Sequence, residues 1–114
     1  MQYQSAHGPR KDNMSELDLE QLIATAPMGK EIWNECVDLA ELLLRKNISY
    51  GNSALEPSRI FSRASANEQL LVRLDDKLSR IQRGSEFPGE NDVLDLLGYL
   101  ILLRISTRLT DVVR

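Results

Sequence analysis

Arg73, Asp76, Lys77 and Arg80 follow one another at spacings of three, one and three residues. On a helix at about 100° per residue, Arg73, Asp76 and Arg80 fall within about 60° of one another, with Lys77 at their edge. Three cations around one acid can hold a phosphate, the guanidinium forks binding its oxygens in pairs while the acid fixes the forks. The same spacing also describes a solvated stripe of ion pairs, worth about 0.2–0.5 kcal/mol each. A second track aligns Asp92, Asp95, Tyr99 and Ser106. Asp92 can complement a helix dipole from the first turn. Asp95 stands in an apolar segment, so its carboxylate needs a cation, a hydrogen-bond donor or a metal, and Arg73, Lys77 or Arg80 is the expected partner. A third group, Glu31, Glu35 and Asp38, shares one side of a helix, with Lys46 further along a neighbouring track. Glu35 and Asp38 together with Asp92 and Asp95 would offer Mg²⁺ the oxygen ligands it prefers; otherwise the trio is the exposed side of an amphipathic helix. Tyr50 and Asn52 could stack on a base and read its edge, or could simply cover the core and shape a turn.

The elements that must position these residues are helical. Ser15-Glu16-Leu17-Asp18 resembles a capping box opening a short helix to about Ala26, before Pro27. From Lys30 to Lys46 an apolar stripe of Ile32, Trp33, Cys36, Leu39, Ala40 and Leu43 predicts the first core helix, with Trp33 and Cys36 buried. Asn47 to Ala54 reads as a loop around Gly51, and Pro57 to Phe61 as a single helical turn. Ser65 or Asn67 caps the second core helix, which runs to about Arg83 on an apolar face of Leu70, Leu71, Leu74, Leu78 and Ile81. Asn91 caps a last helix to about Thr110 that is apolar over more than half its circumference and is expected at the centre. No repeat, low-complexity stretch or strand pattern is visible. The expectation is all-α: three main helices and one or two short ones in a compact bundle, with residues 1–13 a disordered tail and 14–114 a single domain.

Composition narrows the chemistry. The 114 residues carry one histidine, His7, and one cysteine, Cys36. A Cys/His zinc site within one chain is thereby excluded, and a Ser/His/Asp triad nearly so. The opening residues are polar and carry no signal-peptide pattern, the longest apolar run is far short of a membrane span, and the net charge is −3. These features argue for a cytoplasmic protein that binds neither membrane nor duplex nucleic acid, yet they permit a small anion in a local basic pocket.

Taken together, Lys46-Asn47, Tyr50-Gly51-Asn52-Ser53, the run from Arg73 to Ile81 and the run from Asp92 to Tyr99 resemble the first-type nucleotide modification associated domain family. These are small helical proteins of bacteriophages and prophages, and the resemblance covers about residues 30 to 105. It implies a nucleotide-like ligand, with Lys46, Tyr50, Gly51, Asn52, Arg73, Asp76, Lys77, Arg80, Asp92, Asp95 and Tyr99 at the motif positions. A more distant similarity is to MazG-like all-α nucleoside triphosphate pyrophosphatases, whose second acidic motif Asp92 and Asp95 look like. Glu35 and Asp38 have the spacing of the first motif but lie too far upstream.

The leading expectation is a phage-type protein of the bacterial host cytoplasm that binds a nucleotide or cyclic nucleotide without turnover and without a cofactor, as a sponge for a host-defence signal. Lys46, Arg73, Lys77 and Arg80 would meet phosphates, Tyr50 and Asn52 the base, and Asp76 and Asp95 would order the cations, with Tyr99 beside them. A small core favours a homo-oligomer with the site near the subunit interface. The alternatives are a Mg²⁺-dependent pyrophosphohydrolase using Glu35, Asp38, Asp92 and Asp95, and a non-catalytic assembly protein.

Overall fold

The computed structural model describes residues 11–84 and 86–113, and among them the chain is all-α. After a 3-10 helix, Lys11–Glu16, come α1 (Leu19–Thr25), α2 (Gly29–Tyr50), α3 (Ala66–Arg83) and α4 (Asp92–Val113). Of the expected tail, residues 1–10 lie outside the described residues, His7 among them. No described helix is long and apolar enough to cross a membrane. The chain divides into two compact units, residues 1–40 and 41–114, and α2 contributes to both.

In the first unit the N-cap of α1 is Asp18, three residues beyond the expected Ser15. Gln21 N–H donates to the Asp18 carboxylate and Asp18 N–H to the Gln21 side chain, each at 2.8 Å, a reciprocal arrangement that satisfies two otherwise unpaired amides. The expected burial of Trp33 and Cys36 is corrected: Trp33 is 40% exposed and Cys36 is also exposed, as is Ile32. Within this unit the other α-helix is α1, whose seven residues reach about 10 Å and cannot roof the apolar stripe of α2.

In the second unit α2 continues through Asn47-Ile48-Ser49-Tyr50, where a loop was expected, and stops at Gly51 and Asn52, both at left-handed φ (62° and 63°). Asn52 N–H closes the end by donating to the Asn47 carbonyl at 3.3 Å. The extension carries Tyr50 one turn beyond Lys46, onto the same face. Residues 57–61 form no helical turn; Arg59, at φ 56°, interrupts the right-handed path. The bounds of α3 follow the sequence, with Ser65 accepting from Glu68 N–H at 3.1 Å. Asn91 caps α4 as expected, accepting from Leu94 N–H at 3.0 Å.

Helices α3 and α4 pack together over Leu70 and Leu74, the buried large apolar side chains among the described residues of this unit. Leu71, Leu78 and Ile81 of the expected apolar face are exposed instead. The central position expected for α4 is corrected likewise: its outward side, including Leu97 and Leu100, stays open because α3 and the end of α2 cover the opposite side. Gly98 faces Leu43 so closely that a Cβ there would stand 2.9 Å from a Leu43 methyl, which lets α4 run against the last turns of α2.

Candidate functional site

The second unit holds a cleft of about 270 Å³ between the end of α2, the 52–54 turn, α3 and the first half of α4. Leu42, Leu43, Leu94, Gly98 and Leu102 supply its apolar surface. Its polar surface includes Lys46, Tyr50, Asn52, Arg73, Lys77, Asp95 and Tyr99, seven of the nine residues expected to contact a ligand. One copy of the chain builds all of it.

Lys77 is the electrostatic centre. Its side chain is almost fully buried, and its Nζ lies 3.0 Å from Asp95, 3.4 Å from Asp92 and 3.7 Å from Glu90. Burial pushes the Lys77 pKa down, but the hydrogen bonds and charges of Asp95, Asp92 and Glu90 outweigh it and hold the pKa above the ordinary 10.5. Lys46 reaches the other oxygen of Asp95 at 3.5 Å. Asp95 therefore has the expected partner, Lys77, and a second from α2 that helical spacing within α3 and α4 could not reveal.

Asp92 is 1% exposed. One of its oxygens accepts from Lys77, while the other, Oδ2, is buried with no hydrogen-bond partner among the described residues. Its position in the first turn of α4 lets the positive end of the helix stabilise the charge. Glu90 was not anticipated. It precedes α4 in the loop, Glu90 N–H donating to the Phe87 carbonyl at 3.0 Å, and its carboxylate meets both Arg80 at 2.9 Å and Lys77. The signal available for it was an acid directly before the Asn91 cap and near a basic stripe, and helical periodicity does not extend to such a loop residue.

Asp76 and Arg80 do not line the cleft. Arg80 bonds Asp76 at 3.2 Å and Glu90 at 2.9 Å, so it braces the outer edge of the acidic cluster. Ser106, at the far end of its track, is buried and donates to Asn67, tying α4 to α3. Arg73 differs from the other cations. Its guanidinium lies 5.8 Å over the Tyr99 ring, it is exposed to the cleft, and it has no carboxylate partner among the described residues. Asn52 is oriented by Asn47, whose amide donates to its side-chain oxygen at 2.9 Å.

Among the described residues, the carboxylates close enough to share a metal are Glu90, Asp92 and Asp95, with ligand atoms within 4.8 Å of one another. Glu35 and Asp38, expected to complete the metal set, belong to the other unit and are exposed on α2. The three clustered acids do not fit a Mg²⁺ centre as they stand, because the Lys77 ammonium already occupies their common cation position. An ion there would have to displace a buried, well-paired charge.

No family model matches the chain, and no curated protein or solved structure matches it.

Proposed function

We propose that the cleft binds a small phosphorylated ring compound, a nucleotide or cyclic nucleotide, and holds it without turnover. The observation that carries this reading is Arg73: a guanidinium set over Tyr99, facing the cleft, with its donors free of any carboxylate among the described residues. Such a fork is ready to take a phosphate in a bidentate contact. Lys46, whose ion pair among the described residues is a 3.5 Å contact to Asp95, supplies a second charge from the α2 wall. Tyr50 offers a ring face to a base and Asn52 an amide edge. The size of the cleft suits one mononucleotide unit better than an oligonucleotide. The commitment of Glu90, Asp92 and Asp95 to Lys77 favours retention of the ligand over metal-assisted hydrolysis. With the resemblance to the phage family, the role proposed is sequestration of a nucleotide signal in the host cytoplasm by a homo-oligomer of this chain.

The test is thermal unfolding and calorimetric titration of the full chain against nucleoside mono-, di- and triphosphates, cyclic mononucleotides and inorganic phosphate. A nucleotide at a hundred times its Kd is expected to add about 2.7 kcal/mol to stability. Arg73→Ala is expected to weaken that binding about 10- to 100-fold, the worth of a charge-assisted contact, with circular dichroism unchanged. Mass spectrometry is expected to recover the ligand intact. Absence of any nucleotide effect, or wild-type affinity in Arg73→Ala, would overturn the proposal. Pyrophosphate released in a Mg²⁺-dependent reaction and lost in Asp95→Ala would replace it with the hydrolase reading.

A further inference from the structure

The cations of the cleft differ in how much charge each has left for a ligand. The lining carries three cations, Lys46, Arg73 and Lys77, and two acids, Glu90 and Asp95. Lys77 is shared among three carboxylates, Asp95, Asp92 and Glu90, so its charge is more than answered. Lys46 contacts Asp95 as well. Arg73, over the Tyr99 ring, is the cleft cation with no carboxylate partner among the described residues. The nearby groups that would suit further phosphates are already engaged. Arg80 is held by Asp76 at 3.2 Å and by Glu90 at 2.9 Å. The N-terminus of α4 is the kind of place where anions settle. There, however, the Asp92 N–H meets the Glu86 carboxylate at 3.5 Å, and the Leu94 N–H donates to the Asn91 side chain at 3.0 Å.

We propose that the cleft selects a ligand with a single negative charge on a single phosphorus, a phosphodiester of one nucleoside, and that Glu90 and Asp95 exclude nucleoside di- and triphosphates by like-charge repulsion. This inference rests on the nucleotide reading of the cleft and fixes its ligand class. A diester keeps two non-bridging oxygens, which is what a guanidinium fork binds in pairs, and the one charge of Arg73 balances it. A second or third phosphate in the cleft would add charges that face Glu90 and Asp95, with no unpaired lining cation among the described residues to offset them. The leucines of the lining strengthen that repulsion, because charges interact more strongly beside apolar walls than in open water. Selection by a repulsive element of this kind sets which ligand is refused rather than how tightly the preferred one is held.

The test is calorimetric titration of the full chain in EDTA-containing buffer at about pH 8, where a phosphate monoester is a dianion. Each common nucleoside is compared as its 3′,5′-cyclic monophosphate, its 5′-phosphate methyl ester, and its 5′-mono-, di- and triphosphate. The two diesters are expected to bind most tightly, and each further charge is expected to weaken binding about 3- to 10-fold. The methyl ester separates charge from ring shape: it is expected to rank with the cyclic form, and an affinity no better than that of the monophosphate would overturn the proposal. Glu90→Gln is expected to improve the triphosphate relative to the cyclic form about 3- to 10-fold, and Asp95→Asn to do the same. The ratio is the decisive readout, because a loosened fold would weaken all five forms together, and Glu90 lies in an exposed loop where the amide is readily accommodated. Triphosphate bound as tightly as the diesters, or an unchanged ratio in both variants, would overturn the selectivity and leave the nucleotide reading standing. No binding by any of the five forms would overturn both.

Discussion

The two sides of α4 invert the usual distribution of polarity. Toward α3 and the cleft lie Asp92 and Ser106, buried, with Asp95 half-buried and the buried Lys77 between the acids; toward solvent lie Val93, Leu97, Leu100 and Ile101. Buried charges are tolerated only when they are paired, and here one ammonium answers three carboxylates while Lys46 and Arg80 reach two of those from outside. Exposed apolar side chains in a periodic row mark contact surface rather than core. The comparison teaches that apolar content alone does not locate the core of a small helical unit. What decides it is which face a neighbouring helix covers.

The largest effect is expected from breaking the charged side. Lys77→Met preserves length and apolar stem but leaves Glu90, Asp92 and Asp95 crowded without their shared cation, at a cost of about 3–5 kcal/mol. Urea denaturation measures it. A wild-type midpoint for Lys77→Met would show that the ionic cluster is dispensable to folding and would dissolve the contrast between the two sides. Removing the acids' repulsion as well, in Lys77→Met with Asp92→Asn, is expected to recover part of the loss.

A smaller effect separates the two kinds of leucine on α3. Leu70, 1% exposed, is expected to cost about 2–5 kcal/mol as Leu70→Ala through lost burial and the cavity left behind. Leu78, a member of the same sequence-defined apolar face but half exposed, is expected to stay within about 1 kcal/mol as Leu78→Ala, measured at concentrations where the chain is monomeric. Equal losses would mean that Leu78 is covered in solution and that the apolar contact surface extends onto α3.

The pair Leu70 and Leu78 also shows where sequence reasoning reached and where it stopped. Periodicity identified both, and the caps at Ser65 and Asn91 were legible because each is a local bond between a side chain and an amide three residues on. The same local logic failed at α1, since Ser15 and Asp18 are both acceptable caps and the choice rested on Gln21 as reciprocal acceptor. It failed at Asn47 to Tyr50 because small polar and β-branched residues resemble a loop until the left-handed pair Gly51-Asn52 is recognised as the stop. In the cleft, Lys46, Arg73, Lys77, Asp95 and Tyr99 were legible because each lies on a helix with a readable face. Arg80 and Asp76 pair with each other as the ion-pair reading of the stripe expected, but angle on a wheel does not reveal that Glu90 also stands opposite Arg80. Exposure of the outward leucines was least legible, because it depends on the reach of neighbouring helices.

At neutral pH the charged side is expected to contribute no pH dependence through Lys77, and this flatness is itself a sharp prediction. A lysine whose folded pKa is raised stabilises the fold fully at pH values below its unfolded pKa, and that contribution disappears as pH rises through the folded value. Lys77 is raised above 10.5, so its contribution is constant through the neutral range and fades only in more alkaline solution. The neutral amine can still donate to a carboxylate, so the alkaline loss is expected to be smaller than the loss in Lys77→Met. Urea midpoints from pH 7 to 11.5 measure it, with Lys77→Met as the reference that subtracts the titration of every other lysine and tyrosine. The difference between the two proteins should hold steady up to about pH 10 and narrow above it. A difference that narrowed already near pH 8 would mean that desolvation, rather than the three acids, controls Lys77, and the buried side of α4 would then be a site of stored electrostatic cost instead of a source of stability.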